Sequence, residues 1–186
     1  MSVPEFAVVL GEVSAALDAV DAGALAELER RIGAARRVYV AGAGRSGLVM
    51  RGFAMRLMHL GLQVHVVGDV TTPAIAAGDL LVVGSGSGET ESLAAMARKA
   101  RKLGAGLALL TIVPASTIGK LAEVVLRIDA PSPKATPPPG TRASVQPMGS
   151  LFEQALLVLV DTVVFRLARA RGATYEEMFG RHANLE

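Results

Sequence analysis

Cysteine is absent from this 186-residue sequence. Disulfides, thiolate nucleophiles, zinc ribbons and iron–sulfur clusters are thereby excluded. Aromatic residues make up only 4% of the chain, too few for the platforms on which nucleic-acid bases stack. Neither sign of charge dominates: 19 Lys+Arg stand against 17 Asp+Glu, and a formal charge of +2 does not argue for a nucleic-acid partner. Three histidines leave little material for a His-rich metal site. Met1 to Phe6 shows neither the basic region nor the apolar core of a secretory signal. The most apolar long segment, Leu151 to Val164, is interrupted by Glu153, Gln154 and Asp161 and falls short of the roughly 20 residues of a spanning helix. A soluble, cytoplasmic protein with no membrane partner is expected.

What is present is apolar. Hydrophobic residues reach 51% against 19% charged, which excludes intrinsic disorder. The length predicts one domain over 1–186, able to bury roughly 70% of the surface its unfolded chain exposes. The apolar bias suggests that some surface is buried between subunits. Short β-branched runs bounded by Gly or Pro predict strands at Val38–Ala41, Gln63–Val67, Leu80–Val83, Leu107–Ile112 and Val124–Ile128, buried on both faces. Helical spacing marks Ser46–Leu60 and Thr90–Leu103 between them. Alternation of this kind makes a parallel α/β sheet. Further helices are expected over Phe6–Ile32, with Asp21 capping a break, over Gly149–Ala170 and over Tyr175–His182. The terminal helices have no place between strands and are expected to be free to pack on a neighbour. Five prolines make Ala130–Gly140 an irregular linker, read as a surface loop. The basic cluster Arg98, Lys99, Arg101 and Lys102 reads as a solvated helix face.

Two glycine-rich turns each follow a strand and open a helix. Gly42-Ala43-Gly44-Arg45-Ser46-Gly47 has the G-x-G-x-x-G pattern, and Asp69 lies where a ribose-binding acid would. A dinucleotide site or a merely tight turn would both explain it. The second turn, Gly84-Ser85-Gly86-Ser87-Gly88-Glu89-Thr90, is not needed by a dinucleotide domain. Its glycines let amides converge, its hydroxyls add donors, and the helix N-terminus adds positive charge, which together suit a phosphate monoester. No Gly-Lys-Ser/Thr follows, so a nucleotide-hydrolysing P-loop is disfavoured.

At these turns the chain resembles the sugar isomerase (SIS) domain family, and within it the 6-phospho-3-hexuloisomerase branch. The supporting stretches are Gly42 to Gly47, Arg56 to Gly61, Thr71 to Ile75, the Ser/Gly loop, Gln146 to Gln154 and Arg181 to Glu186. The resemblance implies a three-layer sandwich around a five-stranded parallel sheet of order 2-1-3-4-5, with terminal helices for oligomerisation. It implies interconversion of D-arabino-hex-3-ulose 6-phosphate and D-fructose 6-phosphate through a cis-enediol, the second step of formaldehyde fixation by the ribulose monophosphate route. No cofactor and no metal are implied. A homotetramer built from dimers is, together with functional coupling to a 3-hexulose-6-phosphate synthase.

The resemblance also distributes roles. Glu153, in the first turn of a helix, is the expected base; from position alone, a carboxylate stabilising that helix end explains it equally well. His182 is the expected proton carrier at the substrate oxygens. By sequence alone a solvated tail would be the better account, and only the match over the last residues reverses this. Phosphate or substrate contacts are expected from Gly44, Arg45, Ser46, Ser85, Ser87, Gly88 and Thr90, with His59 and Thr72 as secondary candidates; His65 is read as structural. Three rival readings stay open. One is another phosphosugar isomerase, such as arabinose 5-phosphate isomerase. Another is a non-catalytic sugar-phosphate-binding module. The third is a dinucleotide enzyme, for whose substrate domain there is no room.

Overall fold

The computed structural model describes residues 3–134, 139–141 and 143–185. Five parallel strands, β1 Val38–Gly42, β2 Val64–Val66, β3 Leu80–Gly84, β4 Gly106–Thr111 and β5 Val124–Arg127, form one sheet in the order β2-β1-β3-β4-β5, as expected. In register, Val40 pairs with Val82, Val82 with Ala108, and Leu110 with Leu126. The two-residue period of a strand divides these apolar runs between two cores. Val38, Val40, Val82, Leu110 and Leu126 face one side. Tyr39, Ala41, Leu81, Val83 and Leu109 face the other. Each run is continuous because both faces are covered, which makes three layers.

The first face carries α1 Pro4–Leu17, α2 Ala22–Ala34, α3 Gly44–His59 and α5 Ser150–Arg171; the second carries α4 Glu91–Lys102. The terminal helices therefore do have a place on their own sheet, contrary to expectation. Val13 and Ala16 of α1, Leu28 and Ile32 of α2, and Leu156, Val160 and Val163 of α5 are buried in the same core. Removing each large apolar side chain from water contributes roughly 1.5–3 kcal/mol, a gain that only a shared core provides. The outer side of α1 still exposes Phe6 and Leu10.

Helix boundaries follow local chemistry. Asp21 accepts the Ala24 amide at 2.7 Å and caps α2, making the expected break. Gly172, at φ 62, ends α5. Thr174 and Glu177 form a capping box on the last helix, α6 Tyr175–Phe179. That helix is shorter than expected because the chain turns at Gly180. At the N-terminal edge of the sheet the buried Asp79 carboxylate binds Arg36 and Arg37 at 3.0 and 2.9 Å and accepts the Ala76 amide. Burial alone would raise its pKa; the hydrogen bonds from Arg37, Arg36 and Ala76 hold it below its usual 3.8. The basic face of α4 is solvated, with Arg101 paired to Glu123.

Candidate active site

Parallel strands bring their C-terminal ends to one edge, so the turns after β1 and β3 meet there. A cleft of about 290 Å³ opens at that edge. The first turns of α3 and α5 and the loop leading into α4 line it. Three helix N-termini thus point their partial positive charge at one volume.

The first glycine turn splits into two jobs. A Cβ on Gly42 would lie 2.9 Å from Gly47 Cα, and one on Gly47 would lie 2.7 Å from the Gly42 carbonyl oxygen. These two glycines allow strand and helix to touch. Gly44, at φ 56, turns the chain so that Gly44, Arg45 and Ser46 line the cleft. Helix α3 begins there, two residues before the expected start. Asp69, the would-be ribose acid, pairs with Arg51 at 3.0 Å and does not line the cleft.

The second turn is built differently from its expectation. Ser85 is buried, and its Oγ accepts the Gly88 amide at 3.2 Å. Gly88, at φ 63, packs so tightly that a Cβ would fall 2.0 Å from Ser116 Oγ. Ser85 and Gly88 therefore shape the loop and lie outside the cleft lining, because the loop's tight curl turns them inward. Gly86, Ser87 and Thr90 line it. Their amides donate no hydrogen bond among the described residues, and Thr90, the N-cap of α4, makes no capping bond with its side chain. Free amides and a free hydroxyl at a helix N-terminus suit an anion. Glu89 does not compete for that anion. Its carboxylate accepts the Thr117 amide at 2.7 Å, and hydrogen bonding from the Thr117 side chain and then from this amide holds its pKa below the usual value.

Across the cleft stands Glu153, whose side chain is 19% exposed. Arg45 Nη1 lies 2.8 Å from Glu153 Oε2 and donates to Ser150 Oγ at 3.1 Å. The Arg45–Glu153 contact is an ion pair and not an aligned hydrogen bond: Oε2 is buried and lacks a hydrogen-bond partner among the described residues. The carboxylate thus has the Arg45 charge beside it and no aligned donor on Oε2. The pairing of these two residues was not legible from spacing 108 positions apart.

His182 lies elsewhere. Its ring stacks on His59, centroids 5.3 Å apart, and on Phe179 at 6.1 Å. The three line a groove of about 600 Å³ between α3, α5 and α6, together with Arg56 and Val164. Glu153 and Val164 are eleven residues apart on α5, about 16 Å at 1.5 Å per residue. One chain therefore does not bring His182 and Glu153 together. His59 is buried; burial, then the charges of Arg56 and His182, push its pKa below 6.5. Thr72 is also outside the cleft, where its Oγ1 donates to the Val66 carbonyl at 2.6 Å. His65 tilts against Tyr39 in the sheet.

Several lining residues were not among those expected from the sequence, Gly86, Ile112 and Phe152 among them. Ser132, Pro133 and Lys134 reach the cleft from the proline-rich linker, which is thus more than a surface loop; its residues 135–138 lie outside the described residues. A cation beside Pro133 gives no sequence signal. Met148, at φ 58, lines it as well. Among the described residues no group of three or more His, Asp or Glu could hold a metal ion, and no helix is long and apolar enough to cross a membrane.

The family model of the SIS domain matches residues 32–160. A Bacillus subtilis (strain 168) protein named 3-hexulose-6-phosphate isomerase is 49% identical over 160 residues, covering 86% of this chain and 85% of that protein. One of the same name from Mycobacterium gastri is 49% identical over 175 residues, covering 94% and 86%. A crystal structure of a Methanococcus jannaschii protein, for which a 3-hexulose-6-phosphate isomerase function was inferred, superposes with a TM-score of 0.85 at 30% identity over 99% of this chain and 100% of that one.

Proposed function

The chain belongs to the SIS domain family, and from that premise we propose that it interconverts 3-hexulose 6-phosphate and fructose 6-phosphate. The observation that carries this is 49% identity with 3-hexulose-6-phosphate isomerases along most of both chains. We read the whole of 1–186 as one such domain, because α1 and α2, largely outside the matched residues, share its core.

The reaction moves the carbonyl from C3 to C2. A base takes the proton from C2, an enediol spans C2 and C3, and the proton returns at C3, while the O2 proton passes to O3. Glu153 is assigned the carbon proton. It is the one carboxylate lining the cleft among the described residues, and its first-turn position sets it opposite the phosphate grip. Phosphate is assigned to the Gly86, Ser87 and Thr90 amides, with Ser46 beside them and Arg45 and Lys134 supplying charge. Proton transfers between neighbouring carbons and oxygens consume no redox equivalent.

The transfer from O2 to O3 is assigned to His182, with His59 behind it, supplied by a second chain. Two observations support this. His182 lines a separate groove whose first α5 residue, Asp161, is eight positions and about 12 Å along the helix from Glu153. The same groove exposes Phe165, Tyr175 and Phe179, apolar surface that favours association. We assign a homotetramer of paired dimers acting in the cytoplasm, where phosphorylated sugars are retained, downstream of a hexulose-phosphate synthase. The test is a coupled assay: ribulose 5-phosphate, formaldehyde and such a synthase, with and without this protein, reading fructose 6-phosphate. Failure to form fructose 6-phosphate would refute the assignment.

A further inference from the structure

We propose that Glu12, on the first helix, is a positioning residue for Glu153. The inference rests on the isomerase reading, in which Glu153 is the base. Helix α5 begins without a side-chain cap, since Gly149 has none to offer. The orientation of its first turn therefore depends on the segment that enters it. That segment contains Met148 in the left-handed region, a conformation that persists only when its surroundings enforce it.

Glu12 supplies the enforcement. Its carboxylate accepts three hydrogen bonds from this one segment: Ser144 Oγ at 2.7 Å, the Val145 amide at 2.8 Å and Gln146 Nε2 at 3.0 Å. Gln146 then accepts from Gln154 Nε2 at 2.7 Å through its own side-chain oxygen. Gln154 is the residue after Glu153. A chain of hydrogen bonds thus runs from α1 to the turn of α5 that carries the base, while the Pro147 and Gly149 carbonyls accept the Ser150 and Glu153 amides. The hydrogen bonds from Ser144, Val145 and Gln146, in that order, hold the Glu12 carboxyl below its usual pKa, so it acts as an anion at neutral pH. The amides assigned to the phosphate, those of Gly86, Ser87 and Thr90, lie in the loop before α4, to which Glu12 makes no hydrogen bond among the described residues.

This separation gives the test. Glu12→Gln keeps the shape of the side chain and removes the anion that gathers the three donors. Gln146→Ala cuts the next link and leaves α1 intact, so it carries the test if the first variant folds poorly. For each, kcat per folded protein, the inhibition constant of inorganic phosphate and the melting temperature are measured beside wild type. The expected result is a fall in kcat on the order of 10-fold, since an ångström of misplacement costs up to about 100-fold, with phosphate inhibition within about twofold of wild type. The double variant should be little worse than Glu12→Gln alone, because both cut one chain. Wild-type kcat in both variants, or loss of kcat and phosphate binding in proportion, overturns the inference. Absence of turnover by the wild type overturns the isomerase reading and this inference with it.

Discussion

Gly88→Ala perturbs the substrate loop at its tightest point. The added Cβ would fall 2.0 Å from Ser116 Oγ and 2.6 Å from Ser116 Cβ. Ser116 cannot retreat easily: it is 2% exposed, its Oγ accepts the Gly119 amide at 3.2 Å, and a Cβ on Gly119 would itself lie 1.9 Å from the Pro114 carbonyl oxygen. Overpacking of this kind costs about 1–3 kcal/mol. Holding alanine at φ 63 adds about 1–2 kcal/mol. A central value of about 3 kcal/mol corresponds to a melting temperature lower by roughly 6–12 °C for a chain of this size. Differential scanning fluorimetry measures that loss, and phosphate protection in the same scan reports the grip, which should weaken because Gly86 and Ser87 move with the loop. Adding Ser116→Gly clears both contacts and should recover the steric share but not the backbone share. Gly88→Ala melting within about 1 °C of wild type would refute the loop geometry.

Mixing Glu153→Gln with His182→Asn under conditions that exchange subunits should restore about a quarter of wild-type activity: half of random pairs are mixed, and each mixed pair has one intact site of two. No recovery, with exchange confirmed by native mass spectrometry, would place His182 outside the reaction. Arg45→Ala should shift the melting temperature little, because its side chain is 61% exposed and such pairs stabilise weakly, yet it should raise KM for fructose 6-phosphate about tenfold in steady-state assays. Asp79→Asn should cost about 3 kcal/mol at pH 7, because it leaves two arginines facing a lost buried charge. The native pKa of Asp79 is depressed, so its contribution is present above the ordinary 3.8 and lost as pH falls through the lower native value. The gap between wild type and variant in thermal melts should therefore narrow below about pH 4; a constant gap would show that the charge is not responsible.

The sheet was legible because its strands are continuous apolar runs, from Val38–Ala41 to Val124–Ile128, broken by Gly, Pro or charge. The two glycine turns were legible because they follow strands and open helices. The direction of side chains within a turn was not. Ser85 and Ser87 read alike, yet Ser85 bonds Gly88 inside the loop while Ser87 lines the cleft. Long-range partners were illegible as well. Glu12 meets Ser144 across 132 positions, and no local period encodes such a contact. The terminal helices were misplaced for the same reason. An amphipathic helix shows that it must bury a face, but not whether its own sheet or a neighbour will cover it. His182 marks the limit of both readings, because the residues around it within one chain are not those it is assigned to serve.

The most direct test of the central claim is the coupled assay run in parallel on wild type and Glu153→Gln, with inorganic phosphate as competitive inhibitor. Wild type should convert synthase-made hexulose phosphate to fructose 6-phosphate. Glu153→Gln should do so with kcat lower by on the order of 100-fold or more, while KM and phosphate inhibition stay near wild type, as for the loss of a base that spares the anion grip. No fructose 6-phosphate from the wild type, or near wild-type turnover from Glu153→Gln, would contradict the account.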